Sequence, residues 1–201
     1  MSRLLLVRHG DTAMNSAERY WGSTDVTLSA SGITQAERLR DRLAPEEIST
    51  IYASDLCRAS DTAKIVAARQ RADVILCPEL REMDFGEMEG LTYSEISRRY
   101  PEVARMWQQR SPLLKCPGGD SLESFNNRVI KFTDRLENHA SEETLLIVAH
   151  SGTLRSLICH LLGIAAGQRW QFRLDLGSLS IMATYPEGAI LSLLNDVSHL
   201  M

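Results

Sequence analysis

Leu145-Leu146-Ile147-Val148-Ala149-His150-Ser151-Gly152 is an apolar run that ends abruptly on a histidine. A half-exposed strand alternates apolar and polar residues, so an unbroken run belongs to a central strand covered on both faces. Thr153 through Leu162 follows at once with helical character, giving the strand–turn–helix unit of a parallel sheet. Leu4-Leu5-Leu6-Val7-Arg8-His9-Gly10 repeats the pattern near the start. Thr50–Ala53 and Val74–Leu76 read as two further strands. Leu179–Tyr185 and Ala189–Leu194 flank Pro186-Glu187-Gly188, turn chemistry that makes them a hairpin at the sheet edge. The fold class is therefore α/β, a three-layer sandwich with a mostly parallel central sheet between helices.

The intervening helices are legible. Ser29 can cap a segment whose apolar positions are Ile33, Ala36, Leu39 and Leu43. Ala59–Ala68 is Ala-rich, and Leu122, Phe125, Val129, Phe132 and Leu136 step by three and four along an amphipathic helix over 121–138. Residues 84–119 are less regular, with short helical pieces at Tyr93–Arg99 and Val103–Arg110 broken by Pro101, Pro112 and Pro117. With no repeat and no linker, residues 1–201 read as one domain carrying an irregular, substrate-side insertion at about 84–119.

Lys plus Arg number 22 against 26 Asp plus Glu, a net charge of −4, which argues against nucleic acid or an anionic membrane as partner. No apolar run reaches the ~18 residues of a membrane span. The N-terminus turns charged too soon for a signal peptide, so the expected location is cytoplasmic. Cys57, Cys77, Cys116 and Cys159 are scattered without a C-x-x-C pair. They read as reduced, small hydrophobes, and no metal site is expected.

The two strongest strands each end on a histidine, His9 and His150, followed within two residues by Gly10 and Gly152. Ligands of open parallel sheets bind outside the carboxyl ends of strands, and glycine there lets backbone approach a ligand closely. The helix start after His150 suits an anion. Arg8 precedes His9 and Arg58 follows the second strand; guanidinium is suited to bidentate clamping of phosphate. Only three of the 22 basic residues are Lys, so position at a strand exit, more than residue type, singles out Arg8 and Arg58. His139, His160 and His199 are set aside as a polar helix end, a helix interior and a mobile tail. Trp21, Met83, Phe85, Met88 and Trp107 are candidates for an apolar substrate wall, although such residues are more often core.

Arg8-His9-Gly10-Asp11-Thr12 with Asn15 resembles the R-H-G-E-T…N signature of the histidine phosphatase superfamily, the phosphoglycerate-mutase-like proteins. Asp25–Gly32 with Gln35-Ala36, Ser54-Asp55-Leu56-Cys57-Arg58-Ala59 with Thr62-Ala63, and Arg81-Glu82-Met83-Asp84-Phe85-Gly86 with Glu89-Gly90 are similar to further blocks of that family. Pro117–Ser121 and Val148–Gly152 complete the set in family order. The resemblance implies a metal-independent phosphomonoesterase with no cofactor. His9 would be the nucleophile that becomes phosphohistidine, and Arg8, Arg58 and His150 would hold the phosphoryl group. Asn15, Gly22 and Ser151 would contribute to substrate binding, and Glu82 would be general acid, then base. Ser151 replaces the usual Gly, Asp11 the usual Glu, and Trp21 the Gln that commonly precedes Gly22.

A unit charge ~5 Å away at an effective dielectric near 20 is worth roughly 3 kcal/mol, so Arg8 and Arg58 would both bind a phosphate dianion and keep His9 neutral. The partner is then a small phosphorylated metabolite, and a homodimer is left open. The short stretch from Met83 to Asp120 favours hydrolysis over a cofactor-dependent phosphoglycerate mutase. Retention of both His9 and Glu82 argues against a non-catalytic phospho-ligand module. Among phosphatases the blocks look most like α-ribazole-phosphate phosphatases of the cobalamin pathway.

Overall fold

A computed structural model of the chain describes residues 2–14, 19–137, 139 and 142–201. Six strands, β1 (Ser2–Arg8), β2 (Ile48–Ala53), β3 (Val74–Leu76), β4 (Thr144–Ala149), β5 (Leu179–Tyr185) and β6 (Gly188–Asp196), form one sheet. Their order is β3-β2-β4-β1-β5-β6. The first four run parallel, and β5 and β6 add an antiparallel hairpin at one edge, beside β1.

The alternation within the apolar runs divides the core in two. Leu4, Leu6, Leu145 and Ile147 face helices α5 (Leu122–Leu136) and α6 (Ser151–Leu161), meeting Phe125, Val129, Phe132, Leu154 and Leu157. Leu5, Val7, Leu146 and Val148 face α1 (Ala30–Leu43) and α2 (Cys57–Ala67), meeting Leu39, Leu43, Ala59, Ala63 and Val66. Burying each large side chain contributes roughly 1.5–3 kcal/mol, which is why these strands tolerate no polar residue on either face. Three layers result, as expected.

Several local expectations need correction. Ser29 does cap α1, accepting from the Gly32 N–H at 3.0 Å, but the buried face is Gly32, Ala36, Leu39 and Leu43. Ile33, one position off that 4-3-4 spacing, is 44% exposed. In the irregular region α3 spans Tyr93–Arg99 and α4 spans Pro101–Gln108. Pro101 therefore starts a helix at its first position, where its missing N–H costs nothing. The tail is anchored rather than loose: His199 Nε2 lies 2.9 Å from the Gly177 carbonyl, and Arg38 of α1 donates to the Leu200 carbonyl. Cys77, Cys116 and Cys159 are buried and Cys57 partly so, all four as free thiols. Among the described residues no helix is long and apolar enough to cross a membrane.

Candidate active site

Sheet register brings the two histidines together. Arg8 at the end of β1 pairs with Ala149 at the end of β4, so His9 and His150 leave adjacent parallel strands at the same level. Their rings are 5.0 Å apart between centroids and tilted by 60°. β2 ends on the other side of β4, where the Ser54 N–H donates to the Val148 carbonyl. His9, His150, Arg8, Arg58, Glu82 and Ser151 all line one cleft of about 650 Å³.

Hydrogen-bond partners fix both imidazole tautomers. His9 Nδ1 is 2.7 Å from the Gly10 carbonyl, which can only accept, so Nδ1 carries the proton and Nε2 keeps its lone pair. His150 Nδ1 accepts from the Arg58 Nε–H at 3.2 Å, leaving Nε2–H to donate toward Ser54 Oγ at 2.9 Å. Both rings are held well below the ordinary histidine pKa. Burial is the larger cause, followed by the charge on Arg58, and Arg8 also pushes His9 down, in the direction expected of the two cations.

Arg58, 2% exposed, is fixed from behind: its two terminal nitrogens donate to the Thr24 carbonyl at 2.9 Å and the Gly22 carbonyl at 2.7 Å. Glu89 holds that loop, accepting from the Ser23 N–H at 2.7 Å, the Thr24 N–H at 2.8 Å and both hydroxyls. Burial pushes the Glu89 carboxyl up, but the bonds from Thr24 and Ser23 outweigh it and its pKa ends below the usual value. Gly22 was expected on the substrate side; it is buried behind Arg58 and outside the cleft lining. Thr62 ties α2 to the loop after β1, accepting from the Gly10 N–H at 3.1 Å and donating to the Arg58 carbonyl at 2.7 Å. Arg8 donates to the Leu174 carbonyl at 2.7 Å, and its buried Nε has no partner among the described residues.

Glu82 reaches the cleft from the loop after β3, accepting from the Met83 N–H at 2.9 Å and the Gly152 N–H at 2.8 Å. Arg128 of α5 braces its backbone, donating to the Arg81 and Glu82 carbonyls at 2.8 and 3.1 Å. The glycines after each histidine are required by close protein contacts. A Cβ at Gly152 would overlap Glu82 Oε1, and one at Gly10 would overlap the Gly32 carbonyl. Asp11 is used structurally: its carboxylate accepts from the Ser29 hydroxyl at 2.7 Å and its N–H donates to Gln35 at 2.8 Å. Asn15 lies outside the described residues.

Of the expected apolar wall, Trp21, Met83, Phe85 and Trp107 line the cleft, and Tyr20 joins them, packed 4.8 Å from Trp107. Met88 is fully buried in the core behind. Sequence reading missed Arg110, Arg155, Arg169 and Trp170 in the lining. One signal was available for Arg155, which stands one helical turn past Ser151 on the same face of α6. His139 is not idle either, accepting or donating at Tyr52 OH and pairing with Glu143 at 2.6 Å, away from the cleft lining.

A family model described as the histidine phosphatase superfamily (branch 1) matches residues 4–197. The chain belongs to that superfamily. As a member of the histidine phosphatase superfamily it is a phosphatase. It is 32% identical to phosphoserine phosphatase 1 of Hydrogenobacter thermophilus over 200 residues, covering 100% of this chain and 95% of that one. It is 33% identical to adenosylcobalamin/alpha-ribazole phosphatase of Escherichia coli over 198 residues, 96% of each. The fold superposes on the crystal structure of alpha-ribazole phosphatase from Shigella flexneri with a TM-score of 0.89, at 33% identity and covering 96% of both chains.

Proposed function

We propose that the chain hydrolyses a small phosphorylated metabolite, without a metal, through a phosphohistidine on His9. The observation that carries this is the His9 tautomer: Nδ1–H is tied to the Gly10 carbonyl, so the Nε2 lone pair is presented beside His150 and two arginines. Nε2 attacks phosphorus in line, and the bond to the ester oxygen breaks. Glu82 delivers a proton to the departing alcohol. Arg8 and Arg58 hold the equatorial oxygens, and His150 joins them by turning its Nε2–H from Ser54 Oγ to an oxygen, because the charge on those oxygens is what a phosphoryl-transfer site must stabilise. Water then attacks phosphorus, Glu82 takes its proton, the N–P bond breaks, and inorganic phosphate leaves. Ser151, at the start of α6, lines the same end and adds to substrate binding, as does Asn15 on the family pattern.

Likeness does not rank the substrates, since the α-ribazole and phosphoserine phosphatase relatives are 33% and 32% identical. α-Ribazole 5′-phosphate is one candidate and phosphoserine another. The surplus of arginines in the cleft favours one second reading, phosphoryl transfer to another alcohol as in a phosphoglycerate mutase. Turnover in ¹⁸O-water with a chelator present separates the outcomes. Hydrolysis gives free phosphate carrying one solvent oxygen at an undiminished rate. Migration of the phosphoryl group without release supports the mutase reading, and loss of activity with the chelator contradicts the metal-free mechanism.

A further inference from the structure

Among the described residues six arginines line the cleft against one carboxylate, Glu82. Arg8 and Arg58 suffice for one phosphoryl group. Arg19 is paired with Glu95 at 3.0 Å, and Arg110 lies over the Trp170 ring at 3.4 Å from its centroid. Arg155 and Arg169 remain, neither guanidinium with an ion pair or hydrogen bond among the described residues, and the buried Arg155 Nε is unsatisfied. Burial draws both guanidiniums below the ordinary arginine range, with Glu82 opposing. After burial and Glu82, the charge on Arg155 acts most on Arg8, and it acts on Arg169 as well. Positive charge is thus added to the cleft beyond Arg8 by Arg155 on α6 and Arg169 in the 3-10 turn Ala166–Gln171.

Half-buried like charges that make no ion pair or hydrogen bond cost stability, and a chain of net charge −4 has no general need of them. An anion seated between them removes the cost. We infer that Arg155 and Arg169 form a second anion subsite, so that the ester cleaved here carries a carboxylate or second phosphoryl group on its alcohol half. This rests on the phosphatase reading of the same cleft. The alcohol half of phosphoserine supplies such a group, whereas that of α-ribazole 5′-phosphate leaves both guanidiniums unpaired.

The test is calorimetric titration of the His9→Ala chain, which binds esters without turnover, with two matched pairs. These are 3-phosphoglycerate against glycerol 3-phosphate, and fructose 1,6-bisphosphate against fructose 6-phosphate. Members of each pair differ by one anionic group. A bond to a charged partner predicts about ten-fold or tighter binding of the more anionic member in at least one pair. Adding Arg155→Gln and Arg169→Gln should shrink that ratio below about three-fold. Equal affinities in both pairs, or a ratio that survives the double substitution, overturns the subsite. Should the double variant not fold, inhibition of nitrophenyl phosphate hydrolysis by the same pairs on the unsubstituted chain decides. Failure of the phosphohistidine reading is a separate result, an absence of label on His9, and leaves these ratios intact.

Discussion

At the phosphate end of the cleft the candidate groups leave regular elements. His9 follows β1, His150 joins β4 to α6, and Arg58 sits in the first turn of α2. At the alcohol end Trp21, Phe85 and Arg110 come from loops, Trp107 from the short α4 and Arg169 from a 3-10 turn. Arg110 even adopts a positive φ of 54°, a conformation that costs a non-glycine residue of order 1 kcal/mol and is held here against the Trp170 ring. The difference is one of tolerance. Phosphate geometry is the same for every ester, so the groups that meet it belong on rigid strand ends. The alcohol varies, and the chain that meets it is the part that can change without disturbing the sheet.

The largest effect expected lies where the two ends meet. If Glu82 protonates the leaving oxygen, Glu82→Gln should slow phosphorylation of His9 by an alkyl phosphate about 10²- to 10⁴-fold. A nitrophenyl phosphate, which expels a stable anion, should react at nearly the unsubstituted rate. The pre-steady-state burst must be read, because Glu82 also serves the hydrolytic step. Equal losses for both esters would make Glu82 part of phosphate binding instead.

Arg58→Ala strikes the phosphate end alone. It should weaken inorganic phosphate and vanadate by roughly 30- to 150-fold, the loss of a charge-assisted bond, and every ester alike. Unchanged inhibition by both anions would take Arg58 out of the pocket. Gly152→Ala acts on Glu82 without touching its chemistry, because the added methyl overlaps Oε1. Losing that seat should slow the alkyl-ester burst about ten-fold, with little change for nitrophenyl phosphate. A variant as fast as the parent on both would show that Glu82 needs no bond to the α6 N-terminus.

The two buried imidazoles also make the phosphate end sensitive to acid. Burial and Arg58 keep both neutral in the folded chain, whereas in the unfolded chain they accept protons near pH 6.5. The unfolded state then binds more protons, so stability is fully present above pH 6.5 and is lost as the pH falls below it. His150→Asn should reduce the acid slope of unfolding free energy by about 1.4 kcal/mol per pH unit. An unaltered slope in denaturant melts between pH 6.5 and 5 would assign the acid sensitivity elsewhere.

The same contrast governs what could be read without a structure. Leu4–Val7 and Leu145–Ala149 announce themselves because a strand covered on both faces admits no polar residue, and the histidines stand out just beyond them, His150 at once and His9 after Arg8. Parallel pairing then places His9 beside His150, as strand order alone could not. Ile33 misled because apolar character was weighed above spacing, while Gly32, with no side chain to read, occupies the buried position against Gly10 and Asp11. Met88 and Trp107 look alike in sequence and part in space, one in the core and one on the cleft. Arg155 carried only its place one turn past Ser151, and Arg169 carried no local signal among so many arginines; their missing side-chain partners mark them.

The central claim is that His9 Nε2 takes the phosphoryl group. Mixing the enzyme briefly with a ³²P-labelled phosphomonoester and quenching in denaturant should leave acid-labile, alkali-stable label on the peptide holding Arg8-His9-Gly10, and none after His9→Ala. Label on the peptide holding His150, or phosphate released with no labelled enzyme under conditions that slow the hydrolytic step, would contradict it.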